Sequence, residues 1–213
     1  MEELDLLKKD WKKNENSFKQ ISENEIYKMI HKNSSSVVKW IMIIGIAEFI
    51  IISGLGIFVS DDNYAKTLEK NHVATLMSVL TYVNYAVVIG FIYLFYKNFK
   101  NISTTDSVRK LMKNILNTRK TVQYYVWYNL ATFVLISIII IFSFCYYDEN
   151  FINMINKIET QKNSGWIWTL TIGMFVITFS VMFTILWLFY KLIYGILLRK
   201  LNRNYQELKK IDL

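Results

Sequence analysis

Four stretches of the chain, residues 37–59, 73–96, 122–146 and 166–190, are apolar almost without interruption, and the segments between them mix charged with apolar positions at helical spacing. Block length separates a membrane helix from a core helix, because about 20 apolar residues cross the hydrocarbon while about 10 to 14 do not. All four blocks pass. The first holds Lys39 near its edge and one acid, Glu48, and the third contains the run Val134-Leu135-Ile136-Ser137-Ile138-Ile139-Ile140-Ile141. At 1.5 Å rise per residue the first block spans about 35 Å, enough to cross with some tilt. The 36 residues before it are too many for a signal-peptide n-region, and no small-x-small site closes it, so a retained span is expected.

The polar segments predict amphipathic helices. Leu4, Leu7 and Trp11 recur at i, i+3, i+7 among Lys8, Lys9, Lys12 and Lys13, a narrow apolar edge framed by charge. Ser22-Glu23-Asn24-Glu25 reads as a capping box that opens a helix with Ile26, Met29 and Ile30 on one face. The polar run Asn33-Ser34-Ser35-Ser36 then sets this segment apart from the first block. In 97–121, Ser103, Thr104 or Thr105 can cap a helix whose Val108, Leu111, Met112 and Ile115 share a face. Beyond the fourth block Tyr194, Leu198, Leu201, Tyr205 and Leu208 alternate at spacings of 4 and 3, a short heptad-like seam. Between 147 and 165, Asp148 can cap a short helix that lays Phe151, Ile155 and Ile158 on the membrane surface. These stripes have two readings. Either they pack on one another or among headgroups, or the N-terminal one docks a soluble partner through Leu4, Leu7 and Trp11 as helix-in-groove anchors.

Composition agrees with long helices: 53% of the residues are hydrophobic and there is no proline to kink or break them. Charge sets the orientation, since Lys and Arg resist translocation. Residues 1–39 hold eight of them, 97–121 seven and 191–213 six, against two each in 60–72 and 147–165. Four crossings put all three basic segments on one side, so both termini are expected in the cytoplasm of a multi-pass inner-membrane protein. Trp40, Tyr93, Tyr96, Tyr124, Tyr125, Trp127, Trp187, Tyr190 and Tyr194 read as the inner aromatic belt, and Tyr64, Tyr146, Tyr147, Trp166 and Trp168 as the outer one. The net charge of +8 then belongs to the membrane edge and not to a nucleic-acid site. The single cysteine, Cys145, closes no intramolecular disulfide, and His31 and His72 are too few for a metal centre, so no metal or cofactor is assigned.

One acid stands inside the hydrocarbon. Glu48 lies eleven residues from each edge of the first block, which places it at the midplane, where a carboxyl must be protonated, hydrogen-bonded inward or open to a polar cavity. Asn84, near the middle of the second block, and Thr178, near the middle of the fourth, match its depth as partners. Gly45 shares its face and admits close approach of another helix. The role of Glu48 is either a functional intramembrane acid or helix glue. On the second block, Ala74, Ser78, Ala86 and Gly90 form a small-residue ridge interrupted by Tyr82, a surface on which two copies can meet through Ala86 and Gly90.

The sequence thus predicts an all-α polytopic membrane protein. A four-transmembrane-helix bundle over 37–190 is preceded by a cytoplasmic amphipathic segment, 1–36, carries the basic connection 97–121, and is followed by a cytoplasmic helix, 191–213. No catalytic constellation is present, so an enzyme is not expected. A membrane-anchored interaction or regulatory protein accounts best for the cytoplasmic segments, and a small proton-coupled transporter using Glu48 is the alternative. The stretches Leu4-Asp5-Leu6-Leu7-Lys8-Lys9-Asp10-Trp11-Lys12-Lys13, Glu25-Ile26-Tyr27-Lys28-Met29-Ile30-His31-Lys32 and Ser34-Ser35-Ser36-Val37-Val38-Lys39-Trp40 resemble a family of uncharacterised bacterial four-span membrane proteins. The resemblance implies a bacterial inner-membrane protein encoded beside an alternative sigma factor, which fits an anti-sigma-like role. Members of that family sometimes carry the label of a carotene-cleaving oxygenase, a chemistry whose multi-histidine iron site two histidines on opposite sides of a bilayer do not build.

Overall fold

Without a proline to interrupt them, the apolar blocks and the amphipathic segments fuse into unbroken helices. The computed structural model describes residues 22–59, 62–70, 72–105, 107–160 and 164–211. These form six helices in all: α1 (Glu23–Val59), α2 (Asp62–Lys70), α3 (Ala74–Ser103), α4 (Val108–Tyr147), α5 (Glu149–Glu159) and α6 (Ser164–Ile211). Four of them, α1, α3, α4 and α6, are long and apolar enough to cross a membrane. They close into a ring in which α1 and α4 each pack on α3 and α6. Glu23, the α3–α4 turn and Ile211 gather at one end, called here the terminal end, and α2 and α5 lie at the other, the loop end. The α6 helix has 48 residues. At 1.5 Å per residue it is about 72 Å long, more than twice the thickness of a hydrocarbon core of about 30 Å.

Several local expectations take definite form. The capping box exists: Glu25 N donates to Ser22 Oγ at 3.3 Å and Ser22 N donates to Glu25 Oε2 at 3.2 Å. Asp148 caps α5 by accepting from Phe151 N at 2.8 Å. The α3–α4 turn differs from expectation. The Ser103, Thr104 and Thr105 hydroxyls do not cap α4 but turn back to the carbonyls of Lys100 and Asn101, closing the C-terminus of α3, and α4 starts after Ser107. The polar run Asn33–Ser36 is also no boundary, because α1 passes straight through it. Its side chains find partners there: Asn204 Nδ2 donates to Ser34 Oγ at 2.9 Å, and Asn33 Nδ2 donates to Asn204 Oδ1 at 3.0 Å.

The core sits in the terminal half. Ile30, Ser34, Val37, Ile41 and Glu48 on α1, and Leu111, Ile115, Thr118, Val122 and Tyr125 on α4, are buried at alternating heptad-like spacings. On α6 the buried set is Tyr190, Tyr194, Leu201, Asn204 and Leu208. Spacings of 3 and 4 keep one stripe of each helix facing the bundle axis, as in a coiled coil. The predicted stripes of 108–115 and 194–208 thus pack on one another, whereas of the predicted Ile26, Met29 and Ile30 face only Ile30 turns inward, because the bundle takes α1 by the neighbouring stripe through Tyr27, Ile30 and Ser34 and leaves Met29 62% exposed. In the loop half the same residue types point outward: Ile57, Ile138, Phe142, Met174 and Ile177 are all at least half exposed. An apolar surface this extensive suits hydrocarbon as its solvent and not water.

Candidate functional site

Glu48 is the one acid inside an apolar block, and its carboxyl meets tyrosine hydroxyls from two neighbouring helices. Tyr190 and Tyr194 lie one turn apart on α6 and so share a face. Tyr190 Oη donates to Glu48 Oε1, and Tyr194 Oη donates to Glu48 Oε2 at 3.1 Å. Glu48 is 8% exposed and Tyr194 1%. From α4, Tyr125 completes the cluster: its hydroxyl lies near Glu48, Asn129 and Tyr194, and its ring stands edge-on to Tyr194 at 5.8 Å and to Phe95 at 5.4 Å. Gly45 makes this approach possible, since a Cβ there would stand 3.2 Å from the Phe95 ring. With both oxygens engaged and aromatic rings on every neighbouring helix, the buried carboxyl ties α1 to α6.

Two expectations about this acid are corrected. Neither Asn84 nor Thr178 is its partner. Asn84 Oδ1 accepts from Tyr128 Oη at 3.1 Å, and the exposed Thr178 donates to the carbonyl of Met174 on its own helix at 2.9 Å. The depth assignment changes as well. Glu48 is level with Tyr190, the last residue of the fourth block, and with Tyr125, near the start of the third, so these two helices place it towards the terminal-side edge of the apolar zone. Judging depth from the first block alone puts it too deep, because the four blocks are staggered in the bundle. Tyr125, Tyr190 and Tyr194 accordingly leave the predicted aromatic belt, while Trp40, Tyr93, Tyr96, Tyr124, Trp127 and Trp187 remain exposed there.

Below the cluster a second polar layer joins the helices. His31 Nε2 meets the carbonyl of Ile102 at 2.7 Å, Asn98 Nδ2 donates to Thr121 Oγ1 at 3.2 Å, and Arg119 Nη1 donates to Asn202 Oδ1 at 2.7 Å. His72 stands at the opposite end, its ring edge-on to Tyr147 at 5.4 Å. The two histidines are therefore separated by the length of the bundle. Ala86 and Gly90 lie on an exposed face of α3, with no atom within 4 Å of where a Cβ on Gly90 would be. Leu4, Leu7 and Trp11 lie outside the described residues.

A family model described as Domain of unknown function (DUF8845) matches residues 24–213. The chain belongs to this family. The matched range takes in the six described helices, all but Glu23 at the start of α1, together with Glu48 and its three tyrosines, and leaves the Leu4, Leu7 and Trp11 stripe outside. No curated protein and no solved structure matches the chain.

Proposed function

We propose that this DUF8845 protein is a non-enzymatic integral membrane protein of the bacterial inner membrane that displays a basic helical stalk, and the segment preceding it, to a cytoplasmic protein partner. The observation that carries this reading is where the packing lies. The tightest core, from Ile30 to Ile41 and around Ile102, Ile115, Leu201 and Leu208, lies mostly beyond the apolar blocks, in helix that a bilayer does not need. Its outer surface carries exposed Lys28, Lys32, Lys100, Lys113, Arg199 and Lys209. A preorganised cationic platform of this kind favours an acidic partner through long-range attraction. The charge distribution also supports cytoplasmic termini. An anti-sigma-like role is the regulatory form of this reading, and the Leu4, Leu7 and Trp11 stripe supplies its docking edge.

The test is in-cell photo-crosslinking of the full chain from positions around Trp11. A discrete adduct that disappears in Trp11→Ala is expected, and no adduct from any position would sink the reading. Topology is checked with a Lys157→Cys reporter in a Cys145→Ser background. It should react with an impermeant maleimide on intact cells, and labelling only after lysis reverses the orientation. The second reading, proton-coupled transport, is favoured only by the buried Glu48 carboxyl between two phenols. Proton-driven exchange in proteoliposomes that is lost in Glu48→Gln would support it over the first.

A further inference from the structure

The loop half holds a half-enclosed space between α4 and α6, roofed towards the loop end by α5. It measures about 560 Å³ and is lined by Ile141, Phe144, Phe151, Ile155, Ile172 and Val176, among others. Thr171 is the one hydroxyl side chain in the wall, and it donates to the carbonyl of Ile167 on its own helix at 2.9 Å. The volume falls within the range of small-molecule pockets, roughly 300 to 1,000 Å³, but such pockets carry a few convergent polar groups and this one offers none. Its occupant must therefore bring only hydrocarbon into the space. Apart from the α5 roof, the walls belong to the third and fourth apolar blocks, which on the membrane-spanning reading puts the space at hydrocarbon depth. The roof is held in place: Asp148 caps α5, Phe151 meets Phe175 edge-on at 6.2 Å, and Ile158 is buried. The predicted surface-lying apolar stripe of α5 is thus turned inward over the groove. An apolar void of this size beside fluid hydrocarbon forfeits dispersion contacts that a flexible chain can supply.

We propose that this groove binds one fatty acyl chain of a membrane phospholipid, entering laterally beneath α5. The proposal rests on the membrane-spanning reading. Its test uses the full-length protein in phosphatidylcholine vesicles doped with a phosphatidylcholine that bears a diazirine midway along one acyl chain. After irradiation, labelled peptides should concentrate in 140–145 and 168–176. Filling the groove with Val176→Trp should lower that labelling about tenfold, the worth of roughly two buried methylenes, while Ile185→Trp on the same helix leaves it unchanged. Ile172→Trp serves as a second filled variant should the first not fold. Even labelling of all exposed helix faces, insensitive to both filled variants, overturns the proposal. Labelling by diazirine-bearing palmitate but not by the phospholipid overturns the assigned source, and groove residues cross-linked to a second copy assign the space to a dimer instead. Release of the protein from the vesicles by alkaline carbonate defeats the membrane reading itself, and is scored separately.

Discussion

The two halves of the bundle are built from the same residue types and use them in opposite ways. In the terminal half, Leu, Ile and Tyr turn inward at heptad-like spacing and polar layers at Ser34–Asn204 and Arg119–Asn202 tie neighbouring helices. In the loop half, Leu, Ile and Phe turn outward, the helices leave a groove between them, and α5 closes over it. Water drives apolar side chains inward, whereas hydrocarbon gives no such drive and leaves helix association to packing and hydrogen bonds, so the two patterns are those expected of a water-facing and a lipid-facing half. Glu48 and its tyrosines stand near the seam between these regimes. There a buried carboxyl engaged by tyrosine hydroxyls joins α1 to α6.

Substitutions can break or sharpen this contrast. The largest effect is expected from Leu201→Ala, which should lower stability in mixed-micelle unfolding by about 2–5 kcal/mol, while Ile177→Ala in the loop half should change it by no more than about 0.5 kcal/mol. Equal losses would erase the distinction. Glu48→Leu strands two buried tyrosine hydroxyls, each worth about 1–3 kcal/mol, and Glu48→Gln should recover much of that by keeping an acceptor. Gly45→Leu should cost about 1–3 kcal/mol by driving a side chain into Phe95, while Gly90→Leu, in open space, should leave the unfolding midpoint where it is. The smallest change is Asp148→Ala, about 1 kcal/mol, read as faster amide exchange confined to α5.

Much of this architecture is legible from pattern. The four apolar blocks, the Ser22–Glu25 box, the Asp148 cap and the Tyr194, Leu201, Leu208 seam follow from helical periodicity and local capping chemistry, which act within a few residues. What escapes is the stagger between helices. The apolar blocks are nearly equal in length but offset along the bundle, so matching their midpoints pairs Glu48 with Asn84 and Thr178 when the packed register pairs it with Tyr190. A usable signal existed in Tyr190 and Tyr194, two hydroxyls one turn apart at the inner edge of a helix, facing a region that had an acid in need of donors. Asn33–Ser36 misleads for a related reason. A polar run reads as a linker until Asn204, 170 residues away from Ser34 in the chain, arrives to satisfy it.

The continuity of α6 has a mechanical corollary. A rod that runs from Ser164 to Ile211 without a hinge behaves as a lever, and rocking it by about 5° about its middle displaces each tip by about 3 Å. A tilt imposed on one half of the rod is thereby carried to its far tip, where it alters the spacing among the helix ends.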